Sequence, residues 1–559
     1  VFGKCAFFFF ISVDLAQFLR PFTLPSKRER LMSVATHSLW SEPRLPRAGE
    51  KLLNDESCEV CVVGAGIAGL TTAFLLAKSG QKVIVLEARP DFAGGETQYT
   101  SAHLSSILDD RFSRLEKVRG RDIAWYAYES HSAAIDRIES IVENENIACD
   151  FSRVNGYLWP GPLNGAQLIE EEEAALCRIG IPHKKLDVLP LTQSFPGPCL
   201  EFARQAQFHP LKYLVGLANA LGGAGGHIFT GQHVETIEGG PMTRIYTREG
   251  RKITANAIVI ATNVPIWCGT LIHTRLAAYI TYVIAINLPN GAVTPALYWD
   301  TEEPYHYVRV FRKDQDSEEL LIVGGEDHKT GQATNQAERW DRLEAWASAR
   351  FPKLHDVRDR WSGEVIETLD GLALIGPAPH AGKNVFVAAG DSGMGLTHGT
   401  VAGLLLRDLI LGTPNPWADT YAPNRLPVLA GGKFLVENLN MASQAGDWLT
   451  GGDVDNVAAI KPGQGAIIRR GLTKLALYRD EDGQLHEKSA VCPHLGCIVH
   501  WNDGEGTWDC PCHGSRFTGT GVVMHGPATS DLADAAQPIP DTLPSAGHTP
   551  GLAVSASFE

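Results

Sequence analysis

Hydrophobic and polar positions fall into a regular pattern from Glu59 onward. Glu59 to Val63 is a short apolar run that stops at Gly64-Ala-Gly-Ile-Ala-Gly69. Helical spacing follows from Leu70 to Ser79, Gly80 ends it, and Lys82 to Leu86 is a second apolar run closing on Glu87. Two such runs around a helix predict a βαβ unit. Apolar spacing predicts helices over Asp122 to Glu145 and Leu211 to Leu221. Strands are predicted over Ile228 to Ile237, Thr243 to Thr247, Ala257 to Thr262 and Tyr279 to Asn287. Pro304 to Gly325 alternates as antiparallel strands do. Val385 to Ala389 reads as a buried strand, followed by a glycine-rich turn and a helix through Leu411. Pro414, Pro416, Pro423 and Pro427 then punctuate a connector, and short strands resume after Ala458. No period of the solenoid type is present.

A chain of 559 residues is too long for one core, so two or three domains are expected. The net charge of −15 argues against a nucleic-acid partner or an anionic membrane surface. Eleven cysteines are too few for a disulfide scaffold, but Cys492, Cys497, Cys510 and Cys512 cluster as a metal site does. Cys58 and Cys61 also form a C-x-x-C; three apart on a strand they should face opposite sides and be structural. The run Cys5 to Leu19 is apolar but interrupted by Asp14 and Gln17, and too short for a span of about 20 residues. It lacks the flanks of a signal peptide. Translation is expected to begin at Met32, with a degenerate targeting peptide or an anchor as the alternatives; no stable membrane insertion and a cytoplasmic location are expected.

Gly64, Gly66 and Gly69 make G-x-G-x-x-G directly after a strand and at the start of a helix. Small residues there let a backbone approach a pyrophosphate held on the helix N-terminus, and Glu87 is placed to accept from ribose hydroxyls. Alone the triplet is weak; in a βαβ context it is strong. The loop Gly64, Ala65, Gly66, Ile67, Ala68 and Gly69 with Glu87 and Ala88 is therefore the expected nucleotide site.

A second constellation is Cys492-Pro-His494-Leu-Gly-Cys497 followed by Cys510-Pro-Cys512-His513-Gly-Ser515. A Rieske [2Fe–2S] centre needs two thiolates on one iron and two imidazoles on the other. Each loop offers one of each: Cys492 and Cys510 for one iron, His494 and His513 for the other. Nitrogen ligands raise the potential to roughly −150 to +300 mV. Four cysteines and two histidines also suit zinc, the alternative to be excluded.

From Glu59 to about Leu411 the chain resembles the D-amino-acid oxidase and glycine oxidase superfamily, the DAO group of FAD enzymes. The likeness rests on the fingerprint, on Ala257-Ile-Val-Ile-Ala-Thr-Asn263 and on Phe386-Val-Ala-Ala-Gly-Asp-Ser-Gly-Met-Gly-Leu-Thr397. It implies an α/β FAD-binding Rossmann-like domain with an inserted antiparallel substrate sheet. It also implies flavin contacts from Thr97, Gly390, Asp391, Gly393, Gly395, Leu396 and Thr397. His103 would be either a point of covalent attachment or a polar lining residue. An arginine clamping a substrate carboxylate is the usual device there. Arg309 is the candidate, with His328 as a second cavity residue and Tyr279, Tyr282, Tyr305, His306 and Tyr307 on the same strands. Ordinary sheet packing is the alternative for all of them.

Ala459 to Phe558 resembles an all-β Rieske domain. That likeness implies a disulfide between Cys497 and Cys512, and a loop at Gly526-Pro527 that closes over the cluster. Ser515 is kept where a hydroxyl donates to sulfur, whereas Phe517 stands where a tyrosine would be the second donor. The expected layout is an N-terminal extension over 1–57, disordered or mis-annotated, and the flavin domain over 58–415, its substrate sheet within 150–365. A linker over 416–458 and the Rieske domain over 459–559 complete it.

The expected activity is amine or amino-acid dehydrogenation, with electrons leaving FAD through the cluster to an unknown acceptor. A Rieske oxygenase would need a 2-His-1-carboxylate iron site, which nothing after Phe517 offers. A ferredoxin or NAD(P)H reductase would need a second fingerprint, and Leu221-Gly-Gly-Ala-Gly-Gly226 follows a helix instead of a strand. A non-enzymatic redox sensor is the remaining alternative.

Overall fold

The computed structural model describes residues 38–41, 45–191, 196–266, 270–312, 319–351, 354–425 and 431–535. The apolar run Cys5 to Leu19 and Met32 lie outside them. Strand Glu56–Val63 is buried over its last four residues, as a central parallel strand covered on both faces must be. It pairs in parallel with Val83–Glu87 on one side and Lys252–Asn263 on the other. Outward from these lie His227–Thr230 and Val385–Ala389, both parallel, and an antiparallel edge strand Leu374–Pro377. A hairpin of Val234–Glu238 and Thr243–Thr247 completes this sheet of eight. Residues 228–237, expected as one strand, are thus two, parted at Gly231 with φ +68°.

Helix Ile67–Lys78 leaves the glycine loop and is buried nearly throughout. It packs against helix Gly395–Leu411. A Cβ on Gly399 would stand 2.7 Å from Ile67 Cγ2, and one on Gly403 2.6 Å from Thr71 Cγ2. The two helices meet that closely only because glycine faces the contact.

The second sheet has nine strands, ordered Val357–Thr368, Leu276–Leu288, Glu319–Lys329, His306–Arg312, Leu297–Asp300, Ser152–Trp159, Pro196–Gln207 and His103–Leu104, with Lys184–Val188 off Pro196–Gln207. It is antiparallel except where Leu297–Asp300 runs parallel to Ser152–Trp159. The C-terminal part holds two antiparallel sheets. One contains Gln464–Arg470, Thr473–Arg479 and Leu485–Ser489; the other contains His500–Asn502, Thr507–Asp509, Arg516–Thr518 and Val523–His525.

Three expectations are corrected. Residues 38–41 and 45–57 belong to the fold: Trp40 is fully buried, its indole N–H donates to the Thr100 carbonyl, and Glu50 bridges to Phe229. Residues 416–458 are more than a linker. Tyr421 is fully buried and shares a 2.6 Å hydrogen bond with Ser130. Helix Gly431–Ser443 is fastened through Glu437, which takes Lys329 Nζ at 2.6 Å. Cys58 and Cys61 do not face opposite sides: both pack in one apolar cluster, and Cys58 hydrogen-bonds Cys61. The Glu59 and Val60 N–H groups both donate to the Lys82 carbonyl, the two-against-one pattern of a bulge, which twists the strand. Among the described residues no helix is long and apolar enough to cross a membrane.

Candidate cofactor and substrate sites

A cavity of about 550 Å³ runs along the carboxyl ends of the parallel strands, where open α/β sheets bind ligands. Gly64, Ala65, Gly66, Ile67 and Ala68 form its floor, with Glu87 and Ala88 beside them. Glu87 is buried; its carboxylate accepts from the Ala65 N–H at 3.0 Å and the Arg89 N–H at 3.0 Å. Thr97 Oγ1 accepts from the Ile67 N–H at 3.2 Å. Gly69 is not in the wall. A Cβ there would fall 1.9 Å from the Gly64 carbonyl oxygen, so its role is to let the helix close on the strand. Gly390, Asp391, Gly393, Gly395 and Leu396 line the opposite side. Thr397 does not; it is buried and donates to the Met394 carbonyl. A long cleft floored by glycines and one buried carboxylate fits an extended dinucleotide.

At the far end stand His103, Asp109, Trp299, Tyr305 and Tyr307. Tyr305 Oη donates to Asp109 Oδ2 at 3.3 Å, and Tyr307 Oη shares a 2.9 Å bond with Thr281. Asp109 opens onto the cavity; the surrounding protein and the neighbouring acids Asp110 and Asp327 push its carboxyl up to about 7. Both ring nitrogens of His103 are engaged, by Ser101 Oγ at 3.0 Å and the Val308 carbonyl at 3.3 Å. Burial, then Arg309, holds its pKa down to about 3, so the ring is a neutral, polar wall.

Arg309 is not in that wall. It is fully buried under Trp40 and Phe311, with its guanidinium 5.1 and 5.7 Å from their ring centres and Nη1 3.4 Å from Gln207. The expected carboxylate clamp is therefore corrected: the tryptophan covering it comes from a segment read as an extension. His328 is likewise turned away, bonded to Tyr282 Oη at 2.9 Å and to the Lys329 carbonyl. Tyr279 meets Glu437, and His306 stacks on Trp346 at 4.3 Å and bonds Asp300. Of the strand residues proposed from sequence, Tyr305 and Tyr307 alone face the cavity.

In the C-terminal domain Cys497 and Cys512 are joined by a disulfide, their Cα atoms 6.5 Å apart. Cys492 and Cys510 remain as buried free thiols. Their mutual hydrogen bond holds Cys492 down to about 7 and, with burial, pushes Cys510 well up. The His494 and His513 rings lie 4.9 Å apart, and Nδ1 of each is buried without a hydrogen-bond partner. A buried polar atom without a partner needs an explanation. Two thiols and two such nitrogens in adjacent loops fit a Rieske centre. Ser515 hydrogen-bonds Cys492 and also accepts from the Ala528 N–H at 3.0 Å. Phe517 is fully buried in the same apolar cluster as Cys492 and Cys510.

Sequence reading did not find how the two sites meet. Val522 to Gly526, Ala528 and Thr529 line the flavin-side cavity, so the loop bonded to Ser515 is also a wall of the nucleotide cleft. Arg89 donates to the Met524 carbonyl and Arg248 to that of Thr529. His525 Nδ1 lies 2.6 Å from Glu96 Oε1; burial opposes the Glu96 charge, but this contact and the Glu364 N–H hold its pKa below the usual range. Ser362 donates to Glu505 at 2.6 Å, and a Cβ on Gly514, at φ +83°, would strike Glu364 Oε1 at 2.4 Å. These pairs are separated by 143 to 435 positions, and no local pattern announces them.

The model of the DAO family, FAD dependent oxidoreductase, matches residues 59–409, and that of the Rieske [2Fe-2S] domain matches 451–538. The Rieske 2Fe-2S iron-sulfur protein YhfW of Bacillus subtilis is 31% identical over 487 residues, 86% of this chain and 94% of its own. The cytochrome b6-f complex iron-sulfur subunit of a Synechococcus strain is 32% identical over 28% of this chain and 80% of its own. Among solved structures, glycine oxidase from Geobacillus kaustophilus superposes with a TM-score of 0.57 at 18% identity, over 66% of this chain and 99% of that one. The chain thus belongs to the DAO family of FAD-dependent oxidoreductases and carries a Rieske [2Fe–2S] domain behind its flavin domain.

Proposed function

We propose that the protein is an amine dehydrogenase whose electrons leave through its own Rieske domain. The observation that carries this reading is the shared wall, the loop from Val522 to Thr529 with Ser515 behind it and the nucleotide cleft in front. FAD supplies a two-electron acceptor for a substrate C–H bond, and the [2Fe–2S] centre supplies a one-electron exit. Gly64, Gly66, Glu87, Thr97, Gly390 and Gly395 would hold the dinucleotide, and Cys492, His494, Cys510 and His513 the iron.

The amine is argued from charge. The far end of the cavity offers Asp109 with Tyr305, Tyr307 and Trp299. Arg89, the one arginine among the described lining residues, is tied to Met524. A carboxylate would meet Asp109 with no cation to receive it, whereas an ammonium finds a carboxylate and aromatic faces. Asp109 binds and orients that ammonium, the aromatic walls keep water off the reacting carbon, and neutral His103 adds no repelling charge.

An anaerobic titration against amines, amino acids and NADH, followed at flavin and cluster wavelengths, tests this. An amine should bleach the flavin and then reduce the cluster. Bleaching by NADH, or by amino acids in preference to simple amines, overturns the amine reading. A cluster that stays oxidised beside reduced flavin overturns the exit.

A further inference from the structure

The short helix Thr270–His273 ends on a histidine that the cofactor sites described above do not use. His273 belongs to the flavin domain, yet its ring centre lies 4.8 Å from that of His494 and 5.5 Å from that of His513. With the 4.9 Å between those two, three imidazoles form one buried triangle, edge to face throughout. His273 is 4% exposed and His513 6%, while His494 is half-buried. Nδ1 of His273 is buried with no hydrogen-bond partner, a feature that needs an explanation. The position is nonetheless held on both sides. Val264 and Ile266, just before it, line the nucleotide cavity. Just after it, the Thr274 carbonyl accepts from Asn438 Nδ2 at 3.0 Å, and Arg275 donates to the Pro423 carbonyl at 2.7 Å.

We propose that His273 is a positioning residue for the iron–sulfur centre: from the flavin side it packs edge to face on both ligand imidazoles, nearer His494 than His513, closes off the more buried His513, and holds the cluster loops against the flavin domain. The inference rests on the ligand assignment above and adds the group that fixes those ligands relative to the nucleotide cleft. In this arrangement His513 is turned inward, toward the helix that ends on His273. His494, beside the exposed Leu495, is the ligand nearer solvent.

Diethylpyrocarbonate acylates accessible neutral imidazole nitrogens and can be read residue by residue in the full-length holoprotein by peptide mass spectrometry. In the wild type, His494 should be labelled and His513 protected, so that each molecule carries its own control. His273→Ala should expose His513 to labelling, and His273→Phe, which keeps a ring in place, should restore protection. After photoreduction of the flavin, cluster reduction should be slower in His273→Ala than in the wild type, with the rate of flavin photoreduction unchanged. Equal labelling of His513 in wild type and His273→Ala, or protection lost equally in the Phe variant, overturns the proposal. The EPR spectrum of the reduced cluster separates the two readings. A normal Rieske signal with equal labelling sinks this inference alone, whereas no Rieske signal in the wild type sinks the ligand assignment and this inference with it.

Discussion

The cluster loops and the substrate end of the cavity are held in opposite ways. Every group proposed to hold iron lies between Cys492 and His513, and a disulfide ties one loop to the other. Their internal geometry is set by short stretches of backbone, and the role proposed for His273 concerns only how the loops sit against the flavin domain. The proposed substrate wall is assembled from His103, Asp109, Trp299, Tyr305 and Tyr307, from two distant parts of the chain, with a further wall lent by the second domain. Chemistry held by local loops tolerates change elsewhere; chemistry held by the whole fold does not. On the proposed function, the electron exit is therefore the fixed part of this protein and substrate recognition the adjustable part.

The largest effect should come from removing one cluster ligand. His513→Ala should abolish the Rieske EPR signal while FAD content stays whole, and loss of both cofactors would break the claim that the loops are self-contained. The mirror experiment is Gly66→Val. A Cβ there already stands 3.3 Å from Thr97 Oγ1, and a branched side chain should drive the dinucleotide out while the cluster spectrum persists. Next in size is Asp109→Asn, which should lower kcat/KM for an amine by about 1.5–3 kcal/mol, roughly ten- to a hundredfold.

The pH dependence of that site sharpens the test. Asp109 titrates near 7, neutral below and ionised above, while an alkyl ammonium like that of lysine stays charged to about pH 10. KM should fall as pH rises through 7, and the dependence should vanish in the Asn variant; a flat wild-type profile would remove Asp109 from recognition. The smallest effects are tuning effects. Ser515→Ala should lower the cluster midpoint, and Phe517→Tyr should raise it, each by at most about 1–3 kcal/mol. Redox titration that finds both variants at the wild-type potential would refute the sulfur-donor argument.

Legibility in the sequence followed the same division. The glycine loop could be read because its spacing, strand and helix sit within one βαβ unit, and the cluster loops because ligand spacing is local. Arg309 misled because strand alternation gave its face correctly: Tyr305, Tyr307 and Arg309 share a side. Alternation cannot say that Trp40 from a remote segment closes over the third of them. His328 misled because the pairing of its strand slips between Ile280 and Tyr282, which redirects side chains past the irregularity. The Glu96–His525 pair and the His273 contact had no signal at all, since each joins residues of two domains that only the folded structure brings together.

Helix Gly431–Ser443, read from sequence as part of a linker, is bonded to the flavin domain through its middle residues Glu437, Asn438 and Asn440. A tether so fastened makes the meeting of the two redox partners a first-order event. Joining two modules in one chain sets an effective concentration in the millimolar range for short flexible links, and a docked helix removes even that search. Transfer between them should then be indifferent to dilution, to crowding and to competing electron carriers. On the proposed electron route, the collision-limited step then lies further out, at the encounter with the external acceptor.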